Sequence, residues 1–165
     1  MSTIEQKTVG DSLKVGKYVG KEHVDTVIRT YKQERWIYNT ERLGKEDSLS
    51  VWYSAEELEA FIQKIKASGG NGVRMYFGAY PLDFKGDPQY AGRQTMVLVA
   101  TKTQRLEDNS LSHKEVYTLE DGRAKVLAYN AGVLCPPYCT NPGQSGEKTL
   151  GVTIIDKGDK GLTIV

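Results

Sequence analysis

Cysteine is scarce in this chain: its only two, Cys135 and Cys139, stand four positions apart around Pro136-Pro137. Two cysteines exclude a disulfide-stapled scaffold. With only His23 and His113 beside them, the chain is also short of the four donors that zinc or an iron–sulfur cluster takes. Long apolar runs are missing as well. The longest, Met96-Val97-Leu98-Val99-Ala100, is far below a membrane span, and residues 1–7 hold no apolar targeting core. That pattern predicts a cytoplasmic protein, or a mature product that has lost its leader, with no membrane partner. Charge of one sign is absent too: 22 basic against 21 acidic residues leave +1, so no global field recruits nucleic acid or anionic lipid.

What is present is the balance of a globular chain, with 39% hydrophobic and 26% charged residues in 165 positions, enough for one real core. Residues 1–16 mix polar residues with Gly10 and Gly16 and read as an N-terminal arm carrying at most one short strand. The remainder, 17–165, reads as a single α+β domain. From Lys21 the spacing of Val24, Val27, Ile28, Tyr31 and Arg35 predicts a helix with one apolar face, running to about Trp36 or Tyr38. Ser54-Ala55-Glu56-Glu57 is a capping box, Leu58, Phe61, Ile62 and Ile65 form a buried stripe, and Ser68-Gly69-Gly70 supplies a left-handed stop, so a second helix spans roughly 55–67.

Alternation then predicts a strand over 73–77, with Val73, Met75 and Phe77 on one face and Arg74 and Tyr76 on the other. A loop over 80–92, punctuated by Pro81, Gly86, Pro88 and Gly92, returns to a strand over 94–101 that is apolar on both faces and therefore central. Turns follow at 107–110 and at Asp121-Gly122. Residues 149–155 and 162–165 read as a terminal hairpin. The expected architecture is a mostly antiparallel sheet with two helices packed on it.

Several residues invite a chemical reading. Cys135 and Cys139 can ligate zinc or an iron–sulfur cluster only if a second subunit contributes another pair; otherwise they are reduced thiols packed in a proline-fixed turn. The turn is the expectation, and the three-residue separation departs from the redox dithiol spacing. Gly143 to Thr149 lacks the phosphate-loop spacing, because two residues separate its glycines and Glu147 precedes the lysine. His23 and His113 have carboxylates nearby but no placed nucleophile, which favours surface roles. Asp83 or Asp87 would be the acid of a small hydrolytic or ligand-binding enzyme with the 80–92 loop as its lid.

Arg74, Tyr76, Tyr80 and Arg93 interleave charge with aromatic rings on neighbouring strands. Such a face can stack bases, but without a basic patch it reads as an interaction surface. Leu162 and Ile164, in an apolar strand at the end of the chain, offer a second contact: an exposed edge that can pair with another copy, with the N-terminal arm supplying the complementary strand through Val9, Leu13 and Val15.

Gly72-Val73-Arg74-Met75-Tyr76-Phe77-Gly78, the strand Thr95-Met96-Val97-Leu98-Val99 and Cys135-Pro136-Pro137-Tyr138-Cys139 together resemble a set of small bacterial proteins. In these a helix precedes a Gly-hydrophobic-Arg-hydrophobic-Tyr-Phe strand and a Cys-Pro-Pro-x-Cys segment closes the chain. The resemblance covers residues 22–139 loosely. It implies that the strand and the cysteine loop belong to one architecture, and it carries no activity. The functional expectation is a non-enzymatic structural or interaction module with no cofactor, whose partner is itself, in a homo-oligomer that is a ring or a filament. The alternatives are a metal or redox protein centred on Cys135 and Cys139 and the small enzyme.

Overall fold

The computed structural model of the chain describes residues 13–139 together with the backbone of 154–156 and 162–164. It is an α+β fold. Residues 13–16 of the expected arm, and residues 17–20 that follow, are exposed and form no strand; residues 1–12 lie outside the described residues. The first helix begins at Lys21 and runs further than its apolar spacing indicates. Helix α1 (Lys21–Tyr31) passes through a π-helical turn (Lys32–Trp36) into α2 (Ile37–Leu43), which ends at Gly44 with φ +72°. A π turn shifts the helical phase, so no single apolar stripe carries through. None of its residues is buried, and Val27, Ile37 and Tyr38 are exposed.

Strand β1 (Ser50–Trp52) leads into α3 (Ala55–Ala67), whose two ends are set by local chemistry. Ser54 Oγ accepts from the Glu57 amide (3.1 Å) and Glu57 Oε2 accepts from the Ser54 amide (3.0 Å), closing the capping box. At the other end the Gly70 amide donates to the Ile65 carbonyl and the Gly69 amide to that of Lys66, with Gly69 at φ +81°. This is the Schellman stop, and glycine suits the left-handed position because it has no Cβ to clash.

The main sheet is antiparallel, in the order β2 (Gly72–Ala79), β3 (Gln94–Arg105), β4 (Leu111–Glu115), with β7 (Ala128–Tyr129) also paired to β3. Strand β3 is central, as its two apolar faces predict. Hairpin β5 (Tyr117–Glu120) and β6 (Arg123–Val126) turns through Asp121 and Gly122, both at positive φ, the two-residue turn whose twist matches the strands. Strand β8 (Val133–Cys135) pairs with β1, and β9 (Ile154–Asp156) pairs with β10 (Leu162–Ile164) as the expected terminal hairpin.

The core lies between α3 and the middle of β3. Phe61, Ile65, Leu98, Ala100, Val116 and Leu127 are buried together, and Tyr129 stacks on Phe61 at 5.4 Å between ring centroids. Ile62, expected in the buried stripe, is exposed instead, while Phe61 and Ile65 are buried and Leu58 packs against the core. Strand β2 departs further. Val73 packs against the core, but Met75 is 55% and Phe77 80% exposed.

Candidate functional site

Strand β2 is hydrogen-bonded on one side only among the described residues, since its neighbour is β3 and nothing else. Which of its backbone groups are free follows from the bonds of β3. The Ala100 amide donates to the Leu127 carbonyl and the Ala100 carbonyl accepts from the Val116 amide, so Ala100 bonds away from β2. Antiparallel ladders alternate. The bonds to β2 therefore fall on Thr101, Val99, Val97 and Thr95, opposite Gly72, Arg74, Tyr76 and Gly78. The amides and carbonyls of Val73, Met75, Phe77 and Ala79 face the open edge.

Arg74 and Tyr76 share one face of β2, as expected. Arg74 Nη1 lies 3.2 Å from Glu115 Oε1 on β4, and the Tyr76 hydroxyl donates to the same oxygen at 3.2 Å. The Glu115 carboxyl is held below the usual range, first by a backbone hydrogen bond and then by Tyr76 and Arg74. Both partners are substantially exposed, so the pair orients the side chains and adds little stability.

Tyr80 and Arg93 are not part of that Arg74–Tyr76–Glu115 cluster and are held by other partners. The Tyr80 amide donates to the Arg93 carbonyl and the Gly92 amide to the Tyr80 carbonyl, with Gly92 at φ +76°. Two residues thus oppose one, a β-bulge. Tyr80 turns to donate to Asn130 Oδ1 at 2.9 Å and packs its ring on Phe84 and Tyr90. Arg93 is only 5% exposed and donates from Nε to the Gln89 carbonyl at 2.7 Å. It is a buried strut of the loop, which corrects its place in the expected interaction surface. Leu162 and Ile164 lie on β10, opposite Asp156 and Ile154 of β9.

A buried aspartate that no sequence signal marks joins the long helix to the sheet. Asp47 Oδ1 accepts from the amides of Ser48 (2.8 Å) and Gln94 (2.7 Å), and Oδ2 accepts from Asn39 Nδ2 (3.1 Å). Its carbonyl accepts from Trp36 Nε1, while Ser48 Oγ donates to the Gln94 carbonyl. Tyr31 reaches Gln94 Oε1 at 2.6 Å. A cleft of about 440 Å³ opens beside this junction, lined by Asn39, Arg42, Asp47, Ala79, Tyr80 and Gln94 among others. Three hydrogen bonds already occupy the Asp47 carboxylate, so its role is structural.

The expected reduced thiols are corrected outright: Cys135 and Cys139 are joined in a disulfide. The turn between them brings the two sulfurs together, and the Tyr138 amide donates to the Leu134 carbonyl across it. In this state the sulfurs offer no thiolate pair to a shared metal. Among the described residues no group of three or more His, Cys, Asp or Glu is placed to hold one. The loop is anchored by Tyr138, which donates to Asp87 Oδ2 at 2.7 Å, and by Tyr90, whose hydroxyl accepts from the Leu134 amide.

Asp87 is held below the usual carboxylate range by Tyr138 and by the Gln89 amide, the reverse of what a general acid needs. Asp83 is exposed in the same loop. His23 is exposed on α1, and His113 Nδ1 lies 2.9 Å from Thr103 Oγ1 on the sheet surface. Residues 143–149 lie outside the described residues. No helix among those described is long and apolar enough to cross a membrane. No family model, no curated protein and no solved structure matches this chain. The strand and the cysteine loop that carry the bacterial resemblance fall in different sheets, β2 with β3 and β8 with β1.

Proposed function

We propose that this chain is a non-enzymatic interaction module that associates with itself. One observation carries the reading: an eight-residue strand, β2, is open along one edge and exposes Met75 and Phe77 there. Edge strands of soluble proteins are usually blunted by lysine, proline, a bulge or a covering element. Over 75–79 the sequence is Met-Tyr-Phe-Gly-Ala, with no lysine or proline, and among the described residues no bulge or covering strand occurs there. An edge of this kind gains affinity from main-chain hydrogen bonds and specificity from alternate side chains. The long helix, with no buried residue, and the exposed Tyr117, Leu119 and Val126 of the β5–β6 hairpin add apolar surface suited to contacts.

Sedimentation of the intact chain at micromolar concentration tests the reading. An assembly larger than one chain supports it, and a strictly monomeric chain overturns it. The cytoplasmic placement belongs to the same proposal, and the disulfide tests it, because such bonds persist in oxidising compartments and are rare in the cytosol. Thiol titration of protein drawn directly from cells decides: free thiols support the cytoplasm, and an intact bond overturns that placement.

A further inference from the structure

We infer that β2 docks antiparallel on β2 of a second copy, about a two-fold axis through Tyr76, so that two sheets become one. This rests on the self-association reading and names its interface. The open backbone groups belong to Val73, Met75, Phe77 and Ala79, and both ends of that set are closed by the chain itself. Before it, the Asn71 amide already donates to the Thr101 carbonyl. After it, the next outward position is Pro81, which has no amide proton. The midpoint of the open segment is Tyr76.

In an antiparallel pair centred there, Val73 faces Ala79 of the second copy and Met75 faces its Phe77. Every open amide and carbonyl then finds a partner. Centring one residue either way leaves Val73 or Ala79 unpaired, and centring on Arg74 sets two guanidinium groups against each other, which is destabilising. With Tyr76 on the axis, Arg74 faces Gly78 and no like charges meet. The exposed Met75 and Phe77 side chains are brought together on one face, covering apolar surface that the single chain leaves to water.

Cross-linking reads the register directly. Tyr76 faces its own copy at a non-hydrogen-bonded position, where Cα atoms lie about 4.5 Å apart, within the range a disulfide spans. Full-length Tyr76→Cys, mildly oxidised with the native disulfide in place, should form a covalent dimer. Ile62→Cys, exposed on α3, is the control for collision. Arg74→Cys mixed with Gly78→Cys should cross-link to each other and not to themselves. A Cβ at Gly78 meets nothing closer than 3.8 Å, so that variant keeps the fold. Phe77→Lys should yield a folded monomer by circular dichroism and sedimentation. If the wild-type chain assembles but Tyr76→Cys links no faster than Ile62→Cys, or Phe77→Lys stays assembled, this interface is wrong while self-association stands. If the wild-type chain is monomeric, both fall.

Discussion

Strands β2 and β3 lie side by side along a full register from Gly72↔Thr101 to Ala79↔Gln94, and both are apolar, yet they end in opposite environments. In β3, Leu98, Val99 and Ala100 are buried, whereas in β2 Met75, Tyr76 and Phe77 are exposed. The difference lies in their neighbours. Strand β3 has β2 on one edge, β4 and β7 on the other and α3 across one face, while β2 has only β3 beside it among the described residues. Apolar residues are stabilising only where something covers them, so the same residue types hold the fold in one strand and face water in the other.

Substituting phenylalanine on each side is the strongest way to break this comparison. Phe61→Ala, opposite β3, should cost about 3–5 kcal/mol, because a buried ring is lost and a cavity remains. Phe77→Ala should change the stability of the isolated chain by no more than about 0.5 kcal/mol, the range of surface substitutions. Chemical denaturation at a concentration too low for assembly measures both. Equal costs would mean that β2 is covered after all.

The cysteine loop should fall between these extremes. It closes a short ring of chain beside β8, whose Leu134 is fully buried. Cys139→Ser should lower stability by about 2 kcal/mol on the loop-entropy account of a five-residue ring, read as a lower denaturation midpoint. Ser54→Ala comes next, at about 1 kcal/mol, because it removes the cap that starts the helix covering β3.

The smallest effect is a pH dependence. Glu57 is held below the usual carboxylate range by the Ser54 amide, then by the Tyr129 and Ser54 hydroxyls. A carboxyl whose folded value is depressed contributes stability above its unfolded value and loses it as pH falls through the folded one. Wild type and Glu57→Gln should therefore differ most near neutrality and converge in acid. Denaturation curves at both pH values check this, and a gap that widens in acid would refute the assignment.

Local features are legible in the order of residues alone. The capping box at Ser54 and Glu57, the Gly69 stop, the Asp121-Gly122 turn and the central place of the 94–101 strand all follow from contacts within a few residues or from a composition apolar on both faces. The first helix is legible at its start and not at its end, because the π turn at 32–36 resets the phase on which periodicity depends. Of the candidate surface, Arg74 and Tyr76 do share the face that alternation assigns them. Arg93 does not join them: it is buried and bonded to the Gln89 carbonyl.

What the sequence determined by itself is therefore the class of fold, the ends of α3 and the turns, where each decisive hydrogen bond joins residues near in the chain. Only the tertiary structure decided that Asp47 is the buried joint between helix and sheet and that β2 has an open edge among the described residues. Those outcomes depend on which distant segments come to lie against a residue. Burial and pairing belong to the neighbour as much as to the residue, and alternation along a strand shows which side chains share a face but not what, if anything, covers it.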